Sequence, residues 1–325
     1  MYMTSDTGKL TAISKPEPRH PETPRSFVTP VDSARLLRAK AAYTTRRVPV
    51  GAASHLISGE VTPASGDLVL ARVDRLGQHS RIELGNGRRA HLFPGDEIIL
   101  CYGHRYAPDQ FEGEVPDSLA PCHMVAAGGI AASALSRHAG KKAATRITPV
   151  GLLGDVHGNP VNIEDHALAS DRPAANMPLT IATVGTSMNA GKTTTAAYLI
   201  RGLAKAGLKV GAAKLTGTGA GGDVWLMTDA GADLVLDFTD AGFASTHRLS
   251  AEKLESILAT LTAHLQHAGS DVMVLEVADG LFQQETSTLL CSAPFRQAVD
   301  GIIFAAGDAM GAATGVNWLL DHDLP

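Results

Sequence analysis

Ten residues join an apolar run to a helix-forming stretch: Gly185, Thr186, Ser187, Met188, Asn189, Ala190, Gly191, Lys192, Thr193 and Thr194. Glycines at such a junction let backbone N–H groups curl around oxyanions. A helix that starts directly afterwards points the positive end of its dipole at them. Lys192 would then reach the β- and γ-phosphates of a nucleotide, and Thr193 would place its hydroxyl on Mg²⁺. This is the end of a P-loop, with one departure. Gly185 precedes Gly191 by six positions rather than five, and Thr186 takes the usual glycine place. A plain glycine turn entering a helix is the alternative, but strand, loop, Gly-Lys-Thr and helix agree on nucleotide binding.

Three other residues suit the same chemistry. Lys214 ends an apolar run, where a second cation facing the γ-phosphate would offset charge as a phosphoryl group moves; a surface lysine is its plain alternative. Glu276 ends another, the position of a carboxylate that orders Mg²⁺ or its waters. Asp223 follows the Gly219–Gly222 run and is a third metal candidate, with Asp229, Asp233 and Asp237 as rivals and a helix N-cap as its simplest alternative. The Thr216–Gly222 run can close over a substrate or be an ordinary mobile loop. Cys101 and His104 with Cys122 and His123 lack the spacing of a zinc module. Neither Ser187 nor Ser250 has a paired base in sequence, and none of the 13 histidines falls in a triad pattern, so nucleophilic hydrolysis is unsupported.

The elements that would position these groups fall into two patterns. From residue 179 onward, apolar runs (179–184, 210–215, 234–238, 272–277, 301–305) alternate with helical stretches (192–206, 251–267 capped by Ser250, 309–320). Continuous apolar strands with helices between them predict a parallel sheet covered on both faces. Before it, residues 1–28 read as a flexible tail, and 31–43 as a helix with Asp32 or Ser33 near its cap. Short strands at 68–73, 80–84 and 98–101 are separated by turn dipeptides such as Asn86-Gly87. Residues 128–138, rich in small side chains, read as a helix, followed by a strand pair at 146–153 and 160–163. The predicted fold is α/β: a β-rich, barrel- or sandwich-like domain over 29–177, a linker at 169–177, and a P-loop NTPase domain over 178–325. The sequence stops where the rhythm would start another strand, so a fragment is expected.

Composition excludes several classes. Residues 1–177 carry 20 Lys+Arg against 18 Asp+Glu, and residues 178–325 carry 8 against 15. Neither is a basic stripe for a nucleic acid. No apolar stretch has the length of an export signal or membrane span. Three scattered cysteines give no disulfide framework and suit a reducing cytoplasm.

The loop spacing resembles that of dethiobiotin synthetase and the related cobyrinic-acid amide synthases, which read Gly-Thr-x-x-x-x-Gly-Lys-Thr or Ser. Lys214 in AAKLTGTG, Asp223 in GGDVW and Glu276 in VLEVADGLF are similar to that group's second lysine, helix-start aspartate and strand-end glutamate. The resemblance covers about residues 179–325. It implies ATP and Mg²⁺ as cofactors, and transfer of the γ-phosphoryl to a carboxylate or carbamate of a small molecule before capture by an amine. Thr186 and Ser187 stand where dimerising ATPases of the wider superfamily carry a signature lysine, which argues against a partner-activated switch of that kind. The group's adenine-contacting asparagine would lie beyond Pro325. No Asn-Lys-x-Asp guanine signature occurs, which favours ATP over GTP. The rival readings are a nucleotide-hydrolysing switch or metallochaperone acting on a protein partner, a small-molecule kinase, and a module that merely binds nucleotide. The expected partner is a small-molecule substrate, with the N-terminal domain forming part of its pocket or a homodimer contact.

Overall fold

The computed structural model describes residues 26–174 and 176–325. Its first half is built on strands whose apolar residues alternate between two faces. In the Leu68–Arg75 strand, Leu68 and Leu70 join one buried cluster while Val69, Ala71 and Val73 join another. This is the two-residue period of a pleated strand buried on both sides.

Five of these strands close a hydrogen-bonded ring. Thr145–Gly154 pairs with Leu68–Arg75, which pairs with Glu97–Tyr102, all antiparallel. Glu97–Tyr102 pairs in parallel with Ile130–Arg137. Cys122–Ala126 then bridges Ile130–Arg137 and Thr145–Gly154, completing the circuit. Ser26–Pro30 and His55–Gly59 extend one side, and a hairpin of Arg105–Tyr106 and Phe111–Glu114 extends the other.

Four expectations need correction. Residues 130–137 form a strand, not a helix. The segment pairs with strands on either side, and Gly129 just before it has no room for a side chain (a Cβ would lie 2.0 Å from the Ala42 Cβ), so packing overrides the local preference. The helix expected over 31–43 spans Ser33–Arg38, capped by Asp32. Its continuation is cut because Lys40–Ala41 pairs alongside Ile98–Ile99. No strand forms at 160–163; Pro160 makes a single bridge to Gly154, and a 3-10 turn spans Ile163–His166. The expected tail lies outside the described residues up to residue 25, and residues 26–28 belong to a strand.

The second half is a five-stranded, all-parallel sheet. Its order is Leu234–Asp237, Val210–Lys214, Val272–Glu276, Leu179–Gly185, Gly301–Ala305. One face packs on Ala196, Ala197 and Ile200 of the Lys192–Lys205 helix and Met227 of a Gly222–Ala230 helix. The other packs on Leu254, Ile257, Leu258 and Leu261 of the Ala251–His267 helix. The helices Gly222–Ala230, Gln284–Leu290 and Ala293–Ala298 had no clear sequence signal, two of them being only 7 and 6 residues long.

The halves interlock through polar contacts. The Tyr43 hydroxyl donates to Asp237 (2.9 Å), Arg46 pairs with Asp240 (2.6 Å), and the Gly221 amide donates to Glu83 (3.1 Å).

Candidate functional site

The Leu179–Gly185 strand delivers the chain to the carboxyl edge of the sheet, where residues 186–191 turn into the Lys192–Lys205 helix. Gly185 has no room for a side chain: a Cβ would lie 2.7 Å from the Ala305 carbonyl and 2.9 Å from Lys192 Cγ. Asn189 and Gly191 take positive φ of 65° and 101°. This left-handed kink, natural for glycine, swings the amides inward. The amides of Ser187, Met188, Asn189, Gly191, Lys192 and Thr193 bond no other described residue, whereas Thr186, Ala190 and Thr195 donate to carbonyls. Unpaired amides at a helix start form a concave donor surface for an anion, so the strand–loop–helix unit is a P-loop in form.

Lys192, 5% exposed, folds back across this loop and donates to the Ser187 carbonyl (2.8 Å). Burial pushes its pKa down, against the pull of Asp279 and Glu276. Thr193 Oγ1 donates to Glu276 Oε1 (2.7 Å). Glu276 is 1% exposed, and its Oε2 is buried with no partner. Burial raises its pKa, and the charge of Asp223 adds to the effect against Lys214.

Lys214 ends the neighbouring strand at 8% exposure and is ion-paired with Asp223, at the start of the Gly222–Ala230 helix. Burial works against its charge, but Glu276 and Asp223 outweigh it and push its pKa up. The Thr216–Gly222 run is anchored: the Gly217 amide donates to Thr246 (2.9 Å) and the Gly219 amide to the Ala244 carbonyl (2.8 Å).

These groups line one cavity of about 420 Å³, which Met188, Asn189, Gly191, Lys192, Thr193, Thr194, Lys214, Asp223 and Glu276 share. Gly185, Thr186, Ser187 and Ala190 belong to the same segment but not to the cavity lining. Two further residues of the cavity wall are Asp279 and Arg105. Gly280, next to Asp279, packs on the loop so closely that a Cβ would lie 2.6 Å from the Thr186 carbonyl. Arg105 comes from the first half and belongs to no motif, so nothing in the sequence pointed to it.

The Cys101, His104, Cys122 and His123 group does not converge. Cys101 and Cys122 are buried, and the Nδ1 atoms of His104 and His123 accept from the Val115 and Ala134 amides (3.4 and 3.3 Å). No cluster of three metal-ligating side chains occurs among the described residues. No described helix is long and apolar enough to cross a membrane.

No protein-family model matches the chain, and no curated protein matches it. Solved structures align over part of it. The signal recognition particle receptor FtsY from Elizabethkingia anophelis, in complex with GDP, is 17% identical over 42% of this chain and 43% of that one, with a TM-score of 0.30. The kinase domain of the Escherichia coli tyrosine kinase ETK is 12% identical over 44% and 63%, with a TM-score of 0.33. Signal recognition particle 54 kDa protein from Aeropyrum pernix K1, in complex with GDP, is 16% identical over 50% and 42%, with a TM-score of 0.30. The chain thus spans less than two thirds of each.

Proposed function

We propose that the chain is an ATP-dependent synthetase or ligase of the P-loop NTPase class, similar to the dethiobiotin synthetase and cobyrinic-acid amide synthase group. It would phosphorylate a carboxylate or carbamate of a small molecule. The observation that carries this reading is the shared cavity, which loop residues with unpaired amides line together with the side chains of Lys192, Lys214, Thr193 and Glu276.

In such a site catalysis is placement and charge stabilisation. The loop amides and Lys192 hold the phosphate chain. Lys214, in the same cavity, would offset the charge that develops as the phosphoryl group moves. Its bond to Asp223 keeps it charged and oriented until a phosphate competes for it.

The residues fit a hard cation at one corner. The Thr193 hydroxyl and the Glu276 carboxylate meet there, and Oε2 of Glu276 lacks a partner. Mg²⁺ held by these two would neutralise phosphate charge. Asp223, the third candidate, is committed to Lys214 and would act on the metal at most from the side. We take residues 29–177 and 178–325 as two domains, the first supplying one wall of the substrate pocket. A cytoplasmic setting, a homodimer and the absence of nucleic-acid or membrane partners belong to the same proposal.

The test is ATP hydrolysis by the full chain against a panel of carboxylic acids, amino acids and diamines, with and without bicarbonate. Acceptor-dependent phosphate release is expected, and Lys192→Ala abolishes Mg²⁺–ATP binding. A stable phosphorylated product would make the protein a kinase. Stimulation by a protein and by no small molecule would make it a switch.

A further inference from the structure

We propose that Arg105 is an oxyanion-binding residue, which the first half of the chain contributes to the wall of the phosphate cavity. The inference rests on the nucleotide reading above and adds to it the anionic group that faces the loop.

Arg105 opens the short hairpin of Arg105–Tyr106 and Phe111–Glu114. It is 7% exposed and lines the same cavity as Lys192 and Lys214. Its Nε and Nη1 are buried with no hydrogen-bond partner, and its side chain makes no ion pair among the described residues. The other two cavity cations are engaged, Lys192 by the Ser187 carbonyl and Lys214 by Asp223. Asp109 and Asp279 attract Arg105 from a distance, without compensating its burial, which lowers its pKa to about 10.

An unpaired buried guanidinium is costly to hold, because desolvation is not returned by any partner. Its planar fork of donors suits a two-oxygen group, carboxylate or phosphoryl, which binds it bidentately. The hairpin also touches the loop. Asn189 Nδ2 donates to Asp109 (3.4 Å), four residues after Arg105. An anion held by Arg105 would therefore share one cavity with the phosphates that the loop amides hold.

Two sources can supply that oxyanion: the terminal phosphoryl of the nucleotide, or an acidic group of the second substrate. The experiment compares wild type, Arg105→Met and Arg105→Lys. It measures calorimetric binding of Mg²⁺–ADP, of Mg²⁺–AMP-PNP, and of inorganic phosphate to the AMP-PNP complex, with melting temperature as the fold control. Both variants should bind ADP within about twofold of wild type, and Arg105→Met should melt no lower than wild type, since it removes an uncompensated charge. A tenfold or greater loss confined to AMP-PNP assigns the oxyanion to the terminal phosphoryl. A loss confined to phosphate on the AMP-PNP complex assigns it to the second substrate. Arg105→Lys, which keeps the charge and loses the fork, should show at least a threefold loss in the same arm, and it decides the matter if Arg105→Met does not fold.

Anion binding that is the same in all three proteins overturns the proposal. If wild type fails to bind ADP, the nucleotide reading falls instead, and phosphate added to the free protein still tests Arg105 by the same comparison.

Discussion

Thr193 Oγ1 and Glu276 Oε1 are 2.7 Å apart, and this single hydrogen bond ties the first turn of the loop helix to the end of the adjacent strand. Parallel register brings them together: Thr183, two residues before the end of the loop strand, pairs with Glu276 itself. A hydroxyl and a carboxylate 83 residues apart in the chain thus meet beside the unpaired loop amides.

Glu276→Gln should keep this hydrogen-bonding shape while removing the charge. Nucleotide affinity without Mg²⁺ should change little, and the tightening on adding Mg²⁺ should shrink tenfold or more. Calorimetric titrations with and without the metal check this, and an unchanged metal effect would remove Glu276 from the cation corner.

Asp223→Asn should do the opposite in the absence of metal. Asp223 neutralises Lys214. Losing its charge frees Lys214 for phosphate and takes one negative charge from the cavity. Metal-free ADP should bind about fivefold tighter, equivalent to the ~1 kcal/mol between unit charges ~4 Å apart in a water-like dielectric. Weaker metal-free binding would show that the pair positions Lys214 rather than restrains it.

Gly128 approaches the glycine-rich run of the second half, where a Cβ would lie 2.0 Å from the Gly219 carbonyl oxygen. Neither backbone can yield without disturbing the cavity wall, so Gly128→Ala should cost about 1–3 kcal/mol, the usual penalty of overpacking. Thermal melting checks it. Gly51→Ala, where a Cβ meets nothing within 4 Å, is the control and should leave the melting temperature within a degree or two.

Burial lowers the His79 pKa to about 4, with Arg105 adding to the effect, while Nε2 contacts the Val125 carbonyl (3.0 Å). The unfolded imidazole titrates near ~6.5. Between these values the unfolded chain binds the extra proton, so stability is full above about pH 6.5 and is lost as pH falls toward 4. Denaturant unfolding across that window should show the loss, on the order of 2–3 kcal/mol. His79→Gln, which keeps a donor near Val125, should flatten that part of the curve.

The loop, the parallel sheet and the strand-end residues Lys214 and Glu276 were legible because their signals are local. Apolar runs of four to six residues, a Gly-Lys-Thr string and a capping Ser250 each act within one turn or strand. The helix expected at 128–138 failed for the opposite reason. Ala131 and Ala132 suit a helix by intrinsic preference, but the space beside neighbouring strands decides their state.

Glycine placement and apolar periodicity, which act over a few residues, were enough to place a glycine-bearing turn between a buried strand and a helix. Tertiary structure alone decided which charges face that turn. It spent Asp223 on Lys214, set Glu276 under Thr193, and brought Arg105 across from another sheet. Pairing between residues scores of positions apart leaves no periodic trace along the chain; it follows from strand register and from the burial that makes each unpaired charge count.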